Sequence, residues 1–241
     1  MASAARARVV LPTPGGANGS DDTIGQEKGR LWNARGVSSH PMSASEGAPP
    51  PTADKAAWRA WARATRRALA HDEGGRAAAD LSLQRHIVDW PVWRRARWAL
   101  VYLAFGDECD PLGTPGAHHG PRLATTRTPA AGRQLSVHVH DPATLERHAF
   151  GFSQPSAAAP SVALDEIDVV LVPGLAFDAG GGRLGYGRGL YDRLLATLGE
   201  HAVTVGVTRD ALVVPRLPLE PHDVDVDWLL TESGLRRARS R

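Results

Sequence analysis

A glycine-rich loop that carries two arginines and an aspartate is the segment of this chain whose residue types point most directly to chemistry. It reads GGGRLGYGRGLYDRLL over residues 180–195. Glycine costs backbone entropy on folding, so this density indicates a backbone that approaches a ligand closely. Arg183 and Arg188 carry forked donors suited to phosphate oxygens. Asp192 would repel a bare phosphate but fits if a Mg²⁺ lies between them. The loop therefore predicts a site for phosphate and a divalent cation.

The two best-known phosphate-binding loops are both excluded by spacing. The dinucleotide fingerprint G-x-G-x-x-G needs a third glycine where this chain has Leu190 or Asp192. Gly182 and Gly187 have the Walker A spacing, but Arg188 and Gly189 follow where that motif requires Lys and Ser or Thr. The loop is therefore of another kind.

The elements on either side of the loop support a binding role. An apolar run over residues 167–177 predicts a buried strand before it, and LYDRLLATLG over residues 190–199 predicts a helix after it. Ligands of parallel α/β sheets bind outside the carboxyl ends of the strands. The N-terminal end of the following helix adds partial positive charge there.

The rest of the chain predicts a single α/β domain. Helical patterns lie early, and further strands are predicted later, over residues 98–105, 122–128, 134–140, 201–208 and 225–232. We expect helices over residues 52–70 and 75–90, the second stopped by Pro91. Strands that alternate with helices predict three layers, with a mostly parallel sheet and helices on both faces.

The first predicted helix is amphipathic. One face carries Trp58, Trp61, Thr65 and Leu69, and the other carries Lys55, Arg59, Arg63 and Arg66. By itself, such a basic face is typical of a solvated surface. Beside the glycine loop, Lys55 and Arg59 are candidate phosphate contacts, because they lie one helical turn apart and can reach the same anion.

Composition changes near residue 51. Residues 1–51 are rich in Ala, Gly, Ser and Pro and show no periodicity, so we expect a disordered N-terminal tail. The domain is expected to occupy residues 52–236.

Composition also narrows the function classes. The net charge is only +2, and no basic stripe is interleaved with aromatic residues, so we expect no nucleic-acid partner. The arginines of residues 236–241 leave an RNA-binding adaptor as a weak alternative. No apolar run is long enough for a membrane span, so no membrane partner is expected. A single cysteine, Cys109, predicts an inert thiol and a reducing, cytoplasmic location. Histidines at 118–119, 138 and 140 lack further ligands at metal-site spacing and are interpreted as surface residues.

The glycine loop belongs to a longer pattern. VPGLAFDAGGGRLGYGRGLYDRLL, residues 172–195, closely resembles the signature of the 5-formyltetrahydrofolate cyclo-ligase family. KAAWR at residues 55–59, VYLAFGDECD at residues 101–110 and LPLEPHDVDVDWLLTE at residues 217–232 resemble further family segments in order and spacing. The resemblance extends over residues 53–234.

The resemblance implies an ATP- and Mg²⁺-dependent ring closure. The N5-formyl oxygen of 5-formyltetrahydrofolate attacks the γ-phosphate and gives a phosphorylated imidate. N10 then attacks that carbon, and loss of phosphate leaves 5,10-methenyltetrahydrofolate. Such chemistry needs the protein to position the formyl oxygen and to neutralise charge on the phosphate. A monomer with these two substrates is expected.

The same resemblance implies residue roles. The implied ATP contacts are Lys55, Arg59, Arg183, Leu184, Gly185, Tyr186, Gly187, Arg188, Gly189, Leu190 and Tyr191. Of these, Arg183 and Tyr191 are also implied as catalytic residues. Asp192 and Asp223 are implied as metal ligands, and Leu103 and Glu108 as folate contacts.

The chain departs from the family pattern at several positions. Leu190 stands where a tyrosine is usual, Arg188 where Gly or Lys is usual, and ATTRTP at residues 124–129 where the middle strand usually ends in Pro-Arg, which makes Arg127 the nearest counterpart. The altered stretch 110–160 favours one alternative. In that alternative, a divergent member keeps the ATP site but acts on another small molecule or only binds folate.

Overall fold

A computed structural model describes residues 47–113, 120–129 and 134–239. These residues include twelve short strands and four α-helices. The strands are β1 (Trp98–Val101), β2 (Arg122–Arg127), β3 (Ser136–Val139), β4 (Leu145–Arg147), β5 (Ser153–Pro155), β6 (Val169–Pro173), β7 (Ala176–Asp178), β8 (Arg183–Leu184), β9 (Val203–Val207), β10 (Val213–Val214), β11 (Trp228–Thr231) and β12 (Gly234–Arg237). The helices are α1 (Lys55–Ala70), α2 (Glu73–Asp89), α3 (Pro91–Arg95) and α4 (Leu190–Leu195). These residues belong to a unit that begins at Met42.

Seven of these strands form the main sheet, in the order β12-β11-β9-β6-β1-β2-β3. The five inner strands run parallel to one another, and the two edge strands, β12 and β3, are antiparallel to their neighbours. The mostly parallel sheet predicted from the sequence is therefore confirmed.

Apolar residues of the inner strands alternate between two cores. Leu100, Val170 and Val172 face a core that includes Leu194 and Leu195 of α4. Ala99, Val101 and Leu171 face the opposite core, which α2 and α3 close with Leu83, Ile87 and Trp93. A strand buried on both faces has no polar alternation, which is why β1 and β6 are continuous apolar runs in the sequence. The three layers with helices on both faces are confirmed.

Helix α1 packs on a separate small sheet of order β10-β7-β8. Asp54 caps it, with Oδ1 accepting from Ala57 N at 2.8 Å. Its buried residues are Trp58, Ala62 and Arg66, which differ from the predicted apolar face, since Leu69 is 37% exposed. Arg66, which the sequence places on the basic face, is buried because its guanidinium has polar partners inside the fold.

Several predicted boundaries shift. The strand predicted over residues 98–105 ends at Val101, because the chain turns so that Tyr102 Oη donates to Cys109 O at 2.6 Å. The apolar run 167–177 divides at Gly174 into β6 and β7, where a Cβ would lie 2.7 Å from the Phe177 ring. Strand β12 was not predicted; it holds Arg236 and Arg237, two arginines of the predicted basic tail.

Most of the predicted tail, residues 1–46, lies outside the described residues. Within residues 47–51, Ala48 packs against the cluster formed by α1 and the small sheet. Among the helices that the structure describes, none combines the length and apolar character needed to cross a bilayer.

Candidate functional site

The glycine loop connects β8 to α4 with glycines in conformations that other residues rarely adopt. Gly187 has φ +98° and Gly189, which precedes the first residue of α4, has φ +61°. A Cβ on Gly187 would lie 3.4 Å from Cζ of Arg59. The conformation and the close approach of α1 together explain why the sequence needs glycine here.

Arg183 and Asp192, two of the three loop charges singled out in the sequence, are paired with each other. Arg183 Nη2 donates to Asp192 Oδ1 at 2.7 Å, and the side chains are 5% and 15% exposed. Arg183 Cζ lies 5.8 Å from the centroid of the Tyr191 ring. Burial raises the pKa of Tyr191, so its hydroxyl stays protonated at neutral pH.

Lys55 and Arg59 reach different partners on two sides of the site. Arg59 Nε donates to the backbone oxygen of Gly185 at 3.0 Å. Lys55 Nζ donates to Asp223 Oδ2 at 2.6 Å and to Glu220 Oε2 at 2.9 Å. The basic stripe of α1 therefore joins the glycine loop to the segment that carries Asp223.

A small acidic cluster surrounds Asp223. Ligand atoms of Glu220, His222 and Asp223 lie within 4.8 Å of one another. Burial acts to raise the pKa of Asp223, but hydrogen bonds from Lys55 Nζ and Glu220 N outweigh it, and the pKa is lowered. Asp192 and Asp223, the two predicted metal ligands, thus each accept from a cationic side chain. Carboxylate oxygens are the ligands that Mg²⁺ prefers, and each aspartate would release its present cation to bind one.

Glu108 lies in the turn after β1 and contacts the glycine loop. Its Oε1 accepts from Tyr186 Oη at 2.8 Å, and its Oε2 accepts from Phe105 N at 3.1 Å. Tyr186 Oη also accepts from Arg66 Nη1 at 2.7 Å. Arg66, which is 5% exposed, has Nη2 2.6 Å from Asp107 Oδ1. Three elements that are far apart in the sequence therefore meet at the Tyr186 hydroxyl.

Leu103 and Glu108, the two predicted folate contacts, line different spaces. Leu103 lines a cavity of about 520 Å³ between the β1 turn and the β4–β5 hairpin. Glu108 lines a much smaller space of about 20 Å³ beside Arg66. Phe105 and Phe152 line the larger cavity, with ring centroids 6.2 Å apart. The larger cavity has the size of a small-molecule site.

Residues 51–232 match the 5-formyltetrahydrofolate cyclo-ligase family. The chain belongs to this family. It is therefore a ligase-type enzyme, as expected from its sequence.

Two curated relatives and two solved structures illustrate the similarity. The 5-formyltetrahydrofolate cyclo-ligase of Escherichia coli K12 is 32% identical over 181 residues, which cover 71% of this chain and 96% of that protein. The one of Mycolicibacterium smegmatis is 39% identical over 112 residues, covering 45% of this chain and 58% of that protein. The Aquifex aeolicus 5,10-methenyltetrahydrofolate synthetase has TM-score 0.67 at 32% identity, covering 78% of this chain and 94% of that one. The Mycoplasma pneumoniae enzyme, at 18% identity and TM-score 0.61, covers 75% of this chain and 99% of that one and supports the fold alone.

Some contacts of this cyclo-ligase family member were missed in the sequence. Arg66 was given no role in the site, although its spacing from Lys55 and Arg59 places all three on one stripe of α1. Glu220 lies in the segment 217–232 that resembles the family, but its pairing with Lys55 could not be predicted, because it depends on a contact between residues 165 positions apart.

Two residues outside the loop have partners of their own. Arg127, the nearest counterpart of the usual Pro-Arg, pairs with Glu146 and donates to Pro155 O at 2.6 Å, so it ties β2 to the β4–β5 hairpin. The prediction of a surface residue was wrong for His138, which is buried because its ring nitrogens bond Ala159 O and Ser136 Oγ, both at 2.8 Å. Residues 118–119 lie outside the described residues.

Proposed function

We propose that this chain converts 5-formyltetrahydrofolate and ATP to 5,10-methenyltetrahydrofolate, ADP and phosphate. The observation that carries the proposal is the meeting of three elements at Tyr186: the glycine loop, α1 and the turn that holds Glu108. In this arrangement a phosphate group over the loop and a folate beside the turn are brought within reach of each other.

The reaction needs two displacements. The N5-formyl oxygen attacks the γ-phosphorus and the bond to ADP breaks. N10 then attacks the formyl carbon, loses its proton, and the carbon–oxygen bond breaks with phosphate as the leaving group. An amide-type oxygen is a weak nucleophile, so alignment of the reactants and stabilisation of phosphate charge are what the protein must supply.

Phosphate charge is met by the loop and by α1. We propose that ATP is contacted by residues 183–191 together with Lys55 and Arg59. Arg183 and Tyr191 act as the catalytic residues of this set. The guanidinium of Arg183 is buried, and its Nε has no hydrogen-bond partner among the described residues. This free donor supports the role proposed for Arg183. A forked donor of this kind matches phosphate oxygens. Arg59 holds the loop backbone through Gly185 O.

Asp192 and Asp223 are the residues that would hold Mg²⁺. When bound, the ion neutralises phosphate charge. Arg183 and Lys55 now donate to these two carboxylates, at 2.7 and 2.6 Å. Both cations can instead donate to phosphate oxygens, which would free each carboxylate for the ion.

Folate binding is assigned to Leu103 and Glu108. The cavity of about 520 Å³ beside Leu103 offers apolar and aromatic walls for a ring system. Glu108 lies beside this cavity rather than in its wall, because the backbone N–H of Phe105, which lines the cavity, donates to its Oε2. We propose that its oxygens accept from ring N–H groups at that edge of the cavity. We also propose a monomer that acts in the cytoplasm; a single cysteine, which permits no intrachain disulfide, supports this location.

A thermal-shift experiment combined with product absorbance tests the proposal. Ligand at a hundred times its Kd stabilises the native state by about 2.7 kcal/mol. For a domain of this size we expect the midpoint to rise by about 5–10 °C with Mg-ATP, and by less with ATP and EDTA. 5-Formyltetrahydrofolate should add its own shift, and the methenyl product should absorb in the near ultraviolet. No response to Mg-ATP would overturn the nucleotide assignment.

One observation favours the divergent-member alternative. Arg127 is engaged with Glu146 and Pro155 on the β4–β5 hairpin rather than with the glycine loop. This hairpin, in the altered stretch 110–160, also lines the larger cavity. A thermal response to Mg-ATP without one to 5-formyltetrahydrofolate would select this alternative.

A further inference from the structure

The Tyr186 hydroxyl has one proton, and Arg66 determines which way it points. A guanidinium has donors but no acceptor, so Tyr186 Oη must accept from Arg66 Nη1. The phenol proton is then left for Glu108 Oε1, at 2.8 Å. This proton direction requires an acceptor at Glu108, which an ionised carboxylate supplies.

The Glu108 carboxylate is held at both oxygens. Oε1 accepts from Tyr186 and Oε2 accepts from the backbone N–H of Phe105, at 3.1 Å. Two hydrogen bonds from different elements fix the plane of the group. Arg66 is itself fixed by its ion pair with Asp107. The chain Asp107–Arg66–Tyr186–Glu108 therefore links the position of α1 to the orientation of one carboxylate.

Opposing effects act on the pKa of Glu108. Burial raises its pKa, while the hydrogen bond from Tyr186 and the charge of Arg66 act to lower it. The groups facing it are Arg66 from α1, Arg76 from α2, Asp107 in its own turn, Tyr102 after β1, Arg209 after β9, Tyr186 in the glycine loop and Tyr191 in α4. Among these groups, Arg66 is the cation that shares a hydrogen-bond partner, the Tyr186 hydroxyl, with Glu108.

We propose that Arg66 is a positioning residue for the folate: acting through Tyr186, it keeps the Glu108 carboxylate ionised and oriented as an acceptor. The inference rests on the proposed function, in which Glu108 contacts the folate. The pterin of a folate carries an amino group beside a ring N–H, and an ionised carboxylate accepts from both. A protonated Glu108 would keep one acceptor oxygen but present an O–H donor at the other, and so bind this edge less well.

The first test measures the Kd of 5-formyltetrahydrofolate between pH 5.5 and 9 by calorimetry. In Arg66→Met we expect Glu108 to protonate at a higher pH than in wild type. Binding should be about tenfold weaker near pH 6 and approach the wild-type value near pH 9. Arg66→Lys, which keeps the charge, should restore most of the wild-type profile. Arg63→Met removes an exposed arginine of the same helix and should change nothing. A loss that is equal at every pH would show a merely structural role and overturn the proposal.

The second test follows Glu108 directly by NMR of protein with ¹³C-labelled glutamate carboxyls, assigned with Glu108→Gln. The Glu108 titration should move to higher pH in Arg66→Met. Tyr186→Phe, which leaves the pair of Arg66 and Asp107 in place, should move it in the same direction; this variant serves if Arg66→Met does not fold. An unmoved titration in both overturns the proposal. This readout needs no folate, so a wild-type protein that binds no folate would instead defeat the proposed function.

Discussion

Asp192 is the predicted metal ligand with the most buried partner. Asp192→Asn should lower activity at least tenfold, since a charged ligand is lost. From the sequence alone we would expect an unchanged fold, but Arg183, 5% exposed, loses its ionic partner. We therefore also expect a loss of about 1–3 kcal/mol in the free energy of unfolding. Denaturant titration and the product assay measure the two effects. Asp165→Asn, at an exposed position, is the control; wild-type stability in Asp192→Asn would contradict the pairing.

Cys109 is the single cysteine of the chain and should be unreactive in the native protein. It is 8% exposed, and burial raises the pKa of its thiol from 9.0 to about 12. At pH 8 about one thiol in ten is ionised in the unfolded chain and about one in ten thousand in the native protein. Iodoacetamide should therefore modify the native protein at least about a thousandfold more slowly. Comparable rates with and without denaturant, followed by intact mass, would show that the thiol is accessible.

The conformation of the glycine loop should matter more to ATP binding than to stability. Gly187→Ala places a side chain at φ +98° and near Arg59, whereas Gly234→Ala places one at φ +149° with nothing within 4 Å. Both should cost about 1–2 kcal/mol of stability. Only Gly187→Ala should also weaken ATP, which calorimetry would measure. Equal ATP affinities in the two variants would remove the loop from the nucleotide site.

The ion pairs that join Lys55 of α1 to the acidic cluster should lose their contribution to stability at both high and low pH. The pKa of Lys55 is raised from 10.5, so its contribution is present below that value and lost as the pH rises above it. The pKa values of Glu220 and Asp223 are lowered from 4.5 and 3.8, so their contributions are lost as the pH falls below those values. Lys55→Met should thus lower the thermal midpoint by a few degrees between about pH 5 and pH 10 and by less outside that range. Arg63→Met is the control, and a difference that is independent of pH would contradict the ion pairs.

The elements that could be predicted from the sequence are those with a strong local signal. Strands β6 and β9 are apolar runs, and the glycine loop follows from its density of Gly and charge. Strand β12 and the two-residue strands β8 and β10 carry weak local patterns and form only through pairing with their neighbours. The same holds at the site: Arg66, Tyr186 and Glu108 come together over 120 and 78 positions of sequence, which no spacing rule shows.

At the scale of the molecule, the N-terminal boundary can be tested by two deletions. Removal of residues 2–46 should leave activity and the thermal midpoint unchanged, since their composition predicts no packed contacts. Removal of residues 2–54 takes away Ala48, which packs on the cluster under α1, and the Asp54 cap. We expect this deletion to cost at least about 0.5–2 kcal/mol. Calorimetric melts would decide, and a lowered midpoint in the shorter deletion would show that the segment docks on the domain.

Lys55, Arg59 and Arg66 lie on a single stripe of α1, so this helix sets the spacing between three parts of the site. At 1.5 Å per residue, the three residues span about 16 Å along the axis. Lys55 contacts the acidic cluster, Arg59 contacts the glycine loop, and Arg66 contacts Tyr186, which bonds the Glu108 turn. One inserted residue between Arg59 and Arg66 would turn Arg66 by about 100° away from Tyr186 while leaving every site residue unchanged. We therefore expect this helix to tolerate substitutions on its outer face better than insertions between these residues.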